Sequence, residues 1–199
     1  MIFLNQLING LHVGSIYALI ALGYTMVYGI VKLINFAHGD IIMVGAYVVL
    51  LSLTVLKLPI WLAALVGMAV CALFGVVIER VAYKPLRSAP RISALITAIG
   101  VSLLLENAFM LLMSANPRPF PAVFSSQPIQ IGSLRIAIVT LVTIGVVLLL
   151  CTLLQLFIKK TKMGKAMRAV SEDMGAARLM GINVNVTISL TFAIGSALA

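Results

Sequence analysis

Residues Ile136 to Ile158 read IAIVTLVTIGVVLLLCTLLQLFI, an uncharged run of 23 residues. A helix rising about 1.5 Å per residue would carry this run about 34 Å, enough to cross a hydrocarbon core of about 30 Å. Four more largely apolar runs lie upstream, at approximately 8–31, 41–56, 60–81 and 92–113, the second of them short. A sixth, 186–199, is still apolar at Ala199, so it reads as an incomplete span of a longer chain. The expected fold is all-α: a polytopic transmembrane helix bundle of about six spans, forming one domain over residues 1–199.

Composition supports the bilayer as solvent. Hydrophobic residues make up 62% and charged residues 10%, against about 45–50% and about 25% in ordinary soluble domains. Met1 to Asn9 hold no Lys or Arg, and the first run is longer than a signal-peptide core, so it reads as a retained span. Gly10 and Gly14 in that run have the spacing of close helix contacts, followed by Gly23 and Gly29. Cys71 and Cys151 both lie in apolar runs, outside any metal or redox motif, and read as small hydrophobes.

The net charge of +9 comes from basic residues between the spans. Residues 79–91 carry Arg80, Lys84, Arg87 and Arg91, and residues 159–185 carry Lys159, Lys160, Lys162, Lys165, Arg168 and Arg178. Two spans separate these loops, so they share one side, and the positive-inside rule makes that side cytoplasmic. The proline-rich loop 114–135, with Pro117, Pro119, Pro121 and Pro128, then faces outward, as does the N-terminus. No basic stretch is interleaved with exposed aromatics, which excludes a nucleic-acid partner.

Few side chains can carry chemistry. Asn35, His38 and Asp40 interrupt the apolar pattern in VKLINFAHGDIIMVG. They read either as part of a broken helix lining a transport route or as a turn in which Asp40 meets the N-terminal dipole of the next helix. His38 and Asp40 supply too few ligands for a metal. Glu106 and Asn107 lie within the fourth run, and Glu106 is expected to face the bundle interior, as a path residue, a structural polar group or a proton carrier. Ser93, Thr97 and Ser102 in the same run are expected to bond helix backbone. Residues 161–185, TKMGKAMRAVSEDMGAARLMGINVN, form a short amphipathic helix too polar to enter the bilayer. It either lies on the membrane surface or docks a cytoplasmic partner. P-loop, zinc-protease and nucleophile-elbow motifs are absent, so no enzymatic activity is expected of this chain and it has no P-loop for ATP.

Three ordered blocks carry a resemblance. NGLHVGSIYALIALGYTMVYGIVKLINFAHGDIIMVGAY, ERVAYKPLRSAPRISALITAIGVSLLLEN and GKAMRAVSEDMGAARLMGINV together resemble permease subunits of branched-chain amino acid ABC transporters. The resemblance implies a multi-pass protein of the bacterial inner membrane, paired with a second permease. It implies two cytoplasmic ATPases, which hold ATP and Mg while this chain binds no cofactor, and an extracytoplasmic substrate-binding protein. It also makes Arg168, Glu172, Asp173, Gly175, Ala176, Ala177 and Gly181 an ATPase-coupling helix. Related systems on this scaffold carry urea or short amides. Members of the family commonly have a neutral amide where Glu106 stands. A secondary carrier that uses Glu106, His38 or Asp40 for ion coupling is the alternative, and a purely structural anchor would need none of these polar residues.

Overall fold

A computed structural model describes residues 2–32, 34–87, 89–121, 129–131 and 134–199. The segment 122–128, which includes Pro128, lies outside the described residues, as do Leu33 and Ser88.

The chain forms eight α-helices among the described residues: α1 (Ile2–Val31), α2 (His38–Thr54), α3 (Ile60–Ile78), α4 (Arg91–Met113), α5 (Ile138–Lys160), α6 (Lys162–Glu172), α7 (Met174–Leu179) and α8 (Val184–Ala197). Helices α1, α3, α4 and α5 are long and apolar enough to cross a bilayer, whereas α2 and α8 are shorter. The expected apolar runs are helical, with shifted ends. The first helix begins at Ile2 rather than near Ile8, because Asn5 and Gln6 do not stop helix propagation. Pro59 is the N-cap of α3, since proline fits the start of a helix and not its middle. Residues 79–86 continue α3 as a π-turn, Glu79–Tyr83, and a 3₁₀ turn, Lys84–Leu86, so much of the expected basic loop is helical. Between α4 and α5 lies a small antiparallel hairpin, β1 (Ile129–Ile131) with β2 (Leu134–Ile136).

The core is organised around α8, which packs against α3 and α1. Glycines make these crossings close. A Cβ on Gly23 of α1 would lie 2.6 Å from the Gly195 carbonyl oxygen, and a Cβ on Gly195 would lie 2.7 Å from Val27. A Cβ on Gly75 of α3 would overlap the Ser196 side chain and lie 2.8 Å from the Phe192 carbonyl oxygen. Helix α2 joins α3 similarly: Gly45 faces the Cys71 sulfur and Gly67 faces Val49. Cys71 is thus a buried packing residue, its thiol 3.5 Å from the Ile41 carbonyl oxygen. Gly10, Gly14 and Gly29 meet nothing within 4 Å. The expected contact face of α1 is therefore carried by Gly23, because α8 crosses at that level.

Candidate functional site

The segment between α5 and α8 is two helices, not the single amphipathic helix expected. Thr161 caps α6 by accepting from Gly164 N at 2.9 Å. Gly164 is required there because a Cβ would collide with Phe157 and Ile158 of α5. Along α6, Gly164, Met167 and Val170 are buried while Arg168 and Glu172 are exposed, as a period of three to four dictates. Asp173 ends this helix in extended backbone and starts the next, its Oδ1 accepting from Gly175 N at 2.6 Å and Ala176 N at 3.0 Å. Two helices result because an Asp in extended conformation is a strong N-cap.

Helix α7 closes on Gly181, whose φ of +81° suits glycine. Ile182 N donates to Ala177 O and Gly181 N to Arg178 O, both at 3.0 Å, the paired bonds of a Schellman ending. Asn183 then caps α8 by accepting from Val186 N at 3.2 Å. Ala177 is buried; Gly175, Ala176 and Arg178 are exposed, and Leu179 and Met180 are 92% and 82% exposed. A capped six-residue helix therefore presents small residues followed by two bare apolar side chains.

The second group centres on the turn between α1 and α2. Asn35, His38 and Asp40 are all buried. His38 and Asp40 belong to the first turn of α2, where a carboxylate meets the positive helix end. Asn35 Oδ1 accepts from the Tyr83 hydroxyl at 2.9 Å, and the Tyr83 ring lies 5.4 Å from that of Phe192. The His38 ring stands edge-on to Tyr24, centroids 5.7 Å apart. Asn35 Nδ2, His38 Nε2 and Asp40 Oδ2 are buried without a hydrogen-bond partner.

Sequence reasoning groups Glu79 with the basic loop, but its side chain is fully buried. It is ion-paired with Arg87 and accepts from the Ser189 hydroxyl at 2.6 Å. Arg87 also donates to Asn185 Oδ1 at 2.6 Å. The π-turn turns both Glu79 and Tyr83 inward, while Val81 is 74% exposed. The signal available in the sequence is an acid inside the 60–81 run, eight residues before an arginine. Its partner on α8, Ser189, is 110 residues away and leaves no local trace.

Glu106 and Asn107 are exposed on α4, which corrects the expectation that Glu106 faces the bundle interior. The faces of α4 that meet the bundle carry Ala94 and Ala98, and Glu106 lies off that stripe. Asn107 donates to its own helix, at the Leu103 carbonyl oxygen, 2.7 Å away. The three groups of polar residues are therefore separate: the α6–α7 segment, the α1–α2 turn with the Glu79 network, and the C-terminal half of α4. No cluster of three or more His, Cys, Asp or Glu side chains able to hold a metal occurs among the described residues.

Four helices long and apolar enough to cross a bilayer, with two shorter apolar ones, define a polytopic helix bundle of the membrane type. Residues 6–199 match the family model described as the branched-chain amino acid transport system / permease component. The chain is 42% identical over 209 aligned positions to BraD, the high-affinity branched-chain amino acid transport system permease protein of Pseudomonas aeruginosa, covering 99% of this chain and 68% of that protein. It is 40% identical over 210 positions to LivH of Escherichia coli K12, with the same coverage. A third relative, the probable branched-chain amino acid transport permease protein LivH of Methanocaldococcus jannaschii, is 31% identical over 93% of this chain and 60% of its own length. No solved structure matches the chain. The chain belongs to the family of branched-chain amino acid transport system permease components.

Proposed function

We infer that this chain is the membrane-spanning subunit of an ATP-driven importer for branched-chain amino acids in the bacterial inner membrane. It pairs with a second permease, receives substrate from an extracytoplasmic binding protein, and is driven by two cytoplasmic ATPases that hold ATP and Mg; the chain itself holds no cofactor. The observation that carries this reading is α7. A helix too short to hold itself together in water is capped at both ends and offers Gly175, Ala176, Leu179 and Met180 outward. Bare apolar side chains on a polar segment mark a contact site. Arg168 and Glu172 on α6 and Arg178 on α7 form its charged rim, and Asp173 and Gly181 hold its ends.

The test is the Leu179→Asp protein, assembled with its partners in vesicles. Leu179 touches little of its own chain, so the variant should reach the membrane in normal amount, lose its ATPases on purification and lose leucine uptake. Gly175→Trp should do the same by filling the small-residue face. Full uptake by both variants would remove α7 as the ATPase contact.

A further inference from the structure

We propose that the groove between α1 and α5 is a binding site for an anionic phospholipid, with the Lys159 ammonium and the Arg168 guanidinium holding its phosphate. The proposal goes beyond the importer reading and does not depend on which substrate is carried.

A cavity of about 570 Å³ lies between α1, α5 and α6. Leu22, Met26 and Ile30 line it from α1, four residues apart and so on one face of that helix. Leu154 and Ile158 line it from α5 with the same spacing. The stretch from Leu22 to Ile30 covers about 12 Å at helical rise, most of the depth of one leaflet in a hydrocarbon core about 30 Å thick. Charge enters the lining at one end. Lys159 follows Ile158 in the last turn of α5, and Arg168 and Ser171 join the lining from α6. The groove is thus apolar along its length and cationic at its mouth. A phospholipid has the same order of groups, acyl chains and then phosphate. Gly29 belongs to the same wall, and a Cβ there would meet nothing within 4 Å, so no protein atom fills the groove at that level.

Charge selects the occupant. No Asp or Glu lines the cavity, so the ammonium of an amino acid would meet two like charges. A helix of a partner subunit would bring its own basic residues to this level by the positive-inside rule, again like against like. A phosphate brings the opposite charge. Residues 159–168 hold five Lys or Arg and no acid, and the ion pair found among the described residues joins Glu79 to Arg87, not Lys159 or Arg168 to a carboxylate. Basic pockets between spanning helices on the cytoplasmic side suit anionic head groups, and the positive-inside rule gives this end of α5 to the cytoplasm.

The experiment uses the protein purified in mild detergent with its partner subunits. Phosphatidylglycerol or phosphatidylcholine is titrated in, and bound lipid is counted by native mass spectrometry. Arg168 is left unchanged, because it also borders the α7 contact. Wild type should hold one phosphatidylglycerol more tightly than phosphatidylcholine. Lys159→Gln should weaken that lipid about fivefold, equivalent to about 1 kcal/mol, and Lys160→Gln, the same charge change outside the lining, should not. Gly29→Leu should fill the groove and lose the lipid while melting as wild type does. Equal retention of the two lipids by wild type overturns the site. Equal weakening by Lys159→Gln and Lys160→Gln overturns it as well, leaving only diffuse attraction to a basic surface. Release of the lipid by inorganic phosphate at equal concentration would make the mouth a free-anion site instead. Loss of the second permease from the Gly29→Leu protein would give the groove to a partner helix. Partner subunits that fail to co-purify with wild type would count against the importer reading alone, since the lipid titration is read on this chain in either case.

Discussion

Helices α8 and α4 are both apolar, yet they are used in opposite ways. In the 14 residues of α8, Val184, Thr187, Ile188, Thr191, Phe192, Gly195 and Ser196 are buried. In α4, the buried positions among the described side chains are Ala94 and Ala98, while Leu104, Leu111 and Leu112 are about two-thirds exposed or more. Without a hydrophobic drive between helices in lipid, apolar character does not select the centre of a bundle. Small residues that let backbones approach, and hydroxyls that bond across or along helices, select it instead. Helix α8 has Gly195, Ser196, Thr187 and Thr191, and it meets Gly23 and Gly75 on its neighbours.

Four substitutions test this contrast. The largest loss is expected from Arg87→Leu, which leaves the buried Glu79 carboxylate without its cation and removes a bond to Asn185 of α8. Breaking one side of a buried pair costs about 3–5 kcal/mol, so the purified protein should melt far earlier. Replacing Glu79 by Gln in the same protein should recover part of the loss; no recovery would show that the pair is not the cause. Gly75→Leu should come next, since even its Cβ overlaps Ser196 and overpacking typically costs about 1–3 kcal/mol. A monodisperse, normally stable Gly75→Leu protein would mean that α3 and α8 do not cross there. Asp173→Ala removes the cap of α7, worth about 1 kcal/mol. Its melting point should fall slightly and its ATPase retention more clearly, which separates a docking role from a stabilising one. Gly100→Leu on α4, where nothing lies within 4 Å, should shift stability by less than about 0.5 kcal/mol. A drop as large as that of Gly75→Leu would erase the difference between the two helices.

The same contrast explains what was legible in the sequence. The positions of the spans were readable because length and the absence of charge are local properties. The ends of the third and fifth spans were displaced because helical backbone continues into charged residues such as Lys84 and Lys160. The break at Asp173 was partly readable, since an Asp two residues before a glycine suits a cap, yet the spacing of Met167, Val170 and Met174 continues across it and suggests one helix. Burial was poorly legible. In α4 all sides are apolar, so periodicity does not say which side meets protein, and Glu106 was turned inward on the ground that a charge should avoid lipid. The Glu79 network was invisible because Arg80, Lys84, Arg87 and Arg91 are equally available partners in sequence, and the bonds that choose Arg87 include residues on α8.

The seat of α8 between α1 and α3 has a consequence for how the protein is made. A chain synthesised from its N-terminus exposes the Gly23 and Gly75 faces long before residues 184–197 exist, and no earlier helix fills them in the finished structure. The contacts of α1 and α3 with α8 therefore form only after the other seven described helices have been made. Until then α1 and α3 are partners in waiting, open to the wrong neighbour. Errors that slow or misplace α8 should accordingly be read not as damage to one helix but as loss of the contacts that hold α1 and α3 in place.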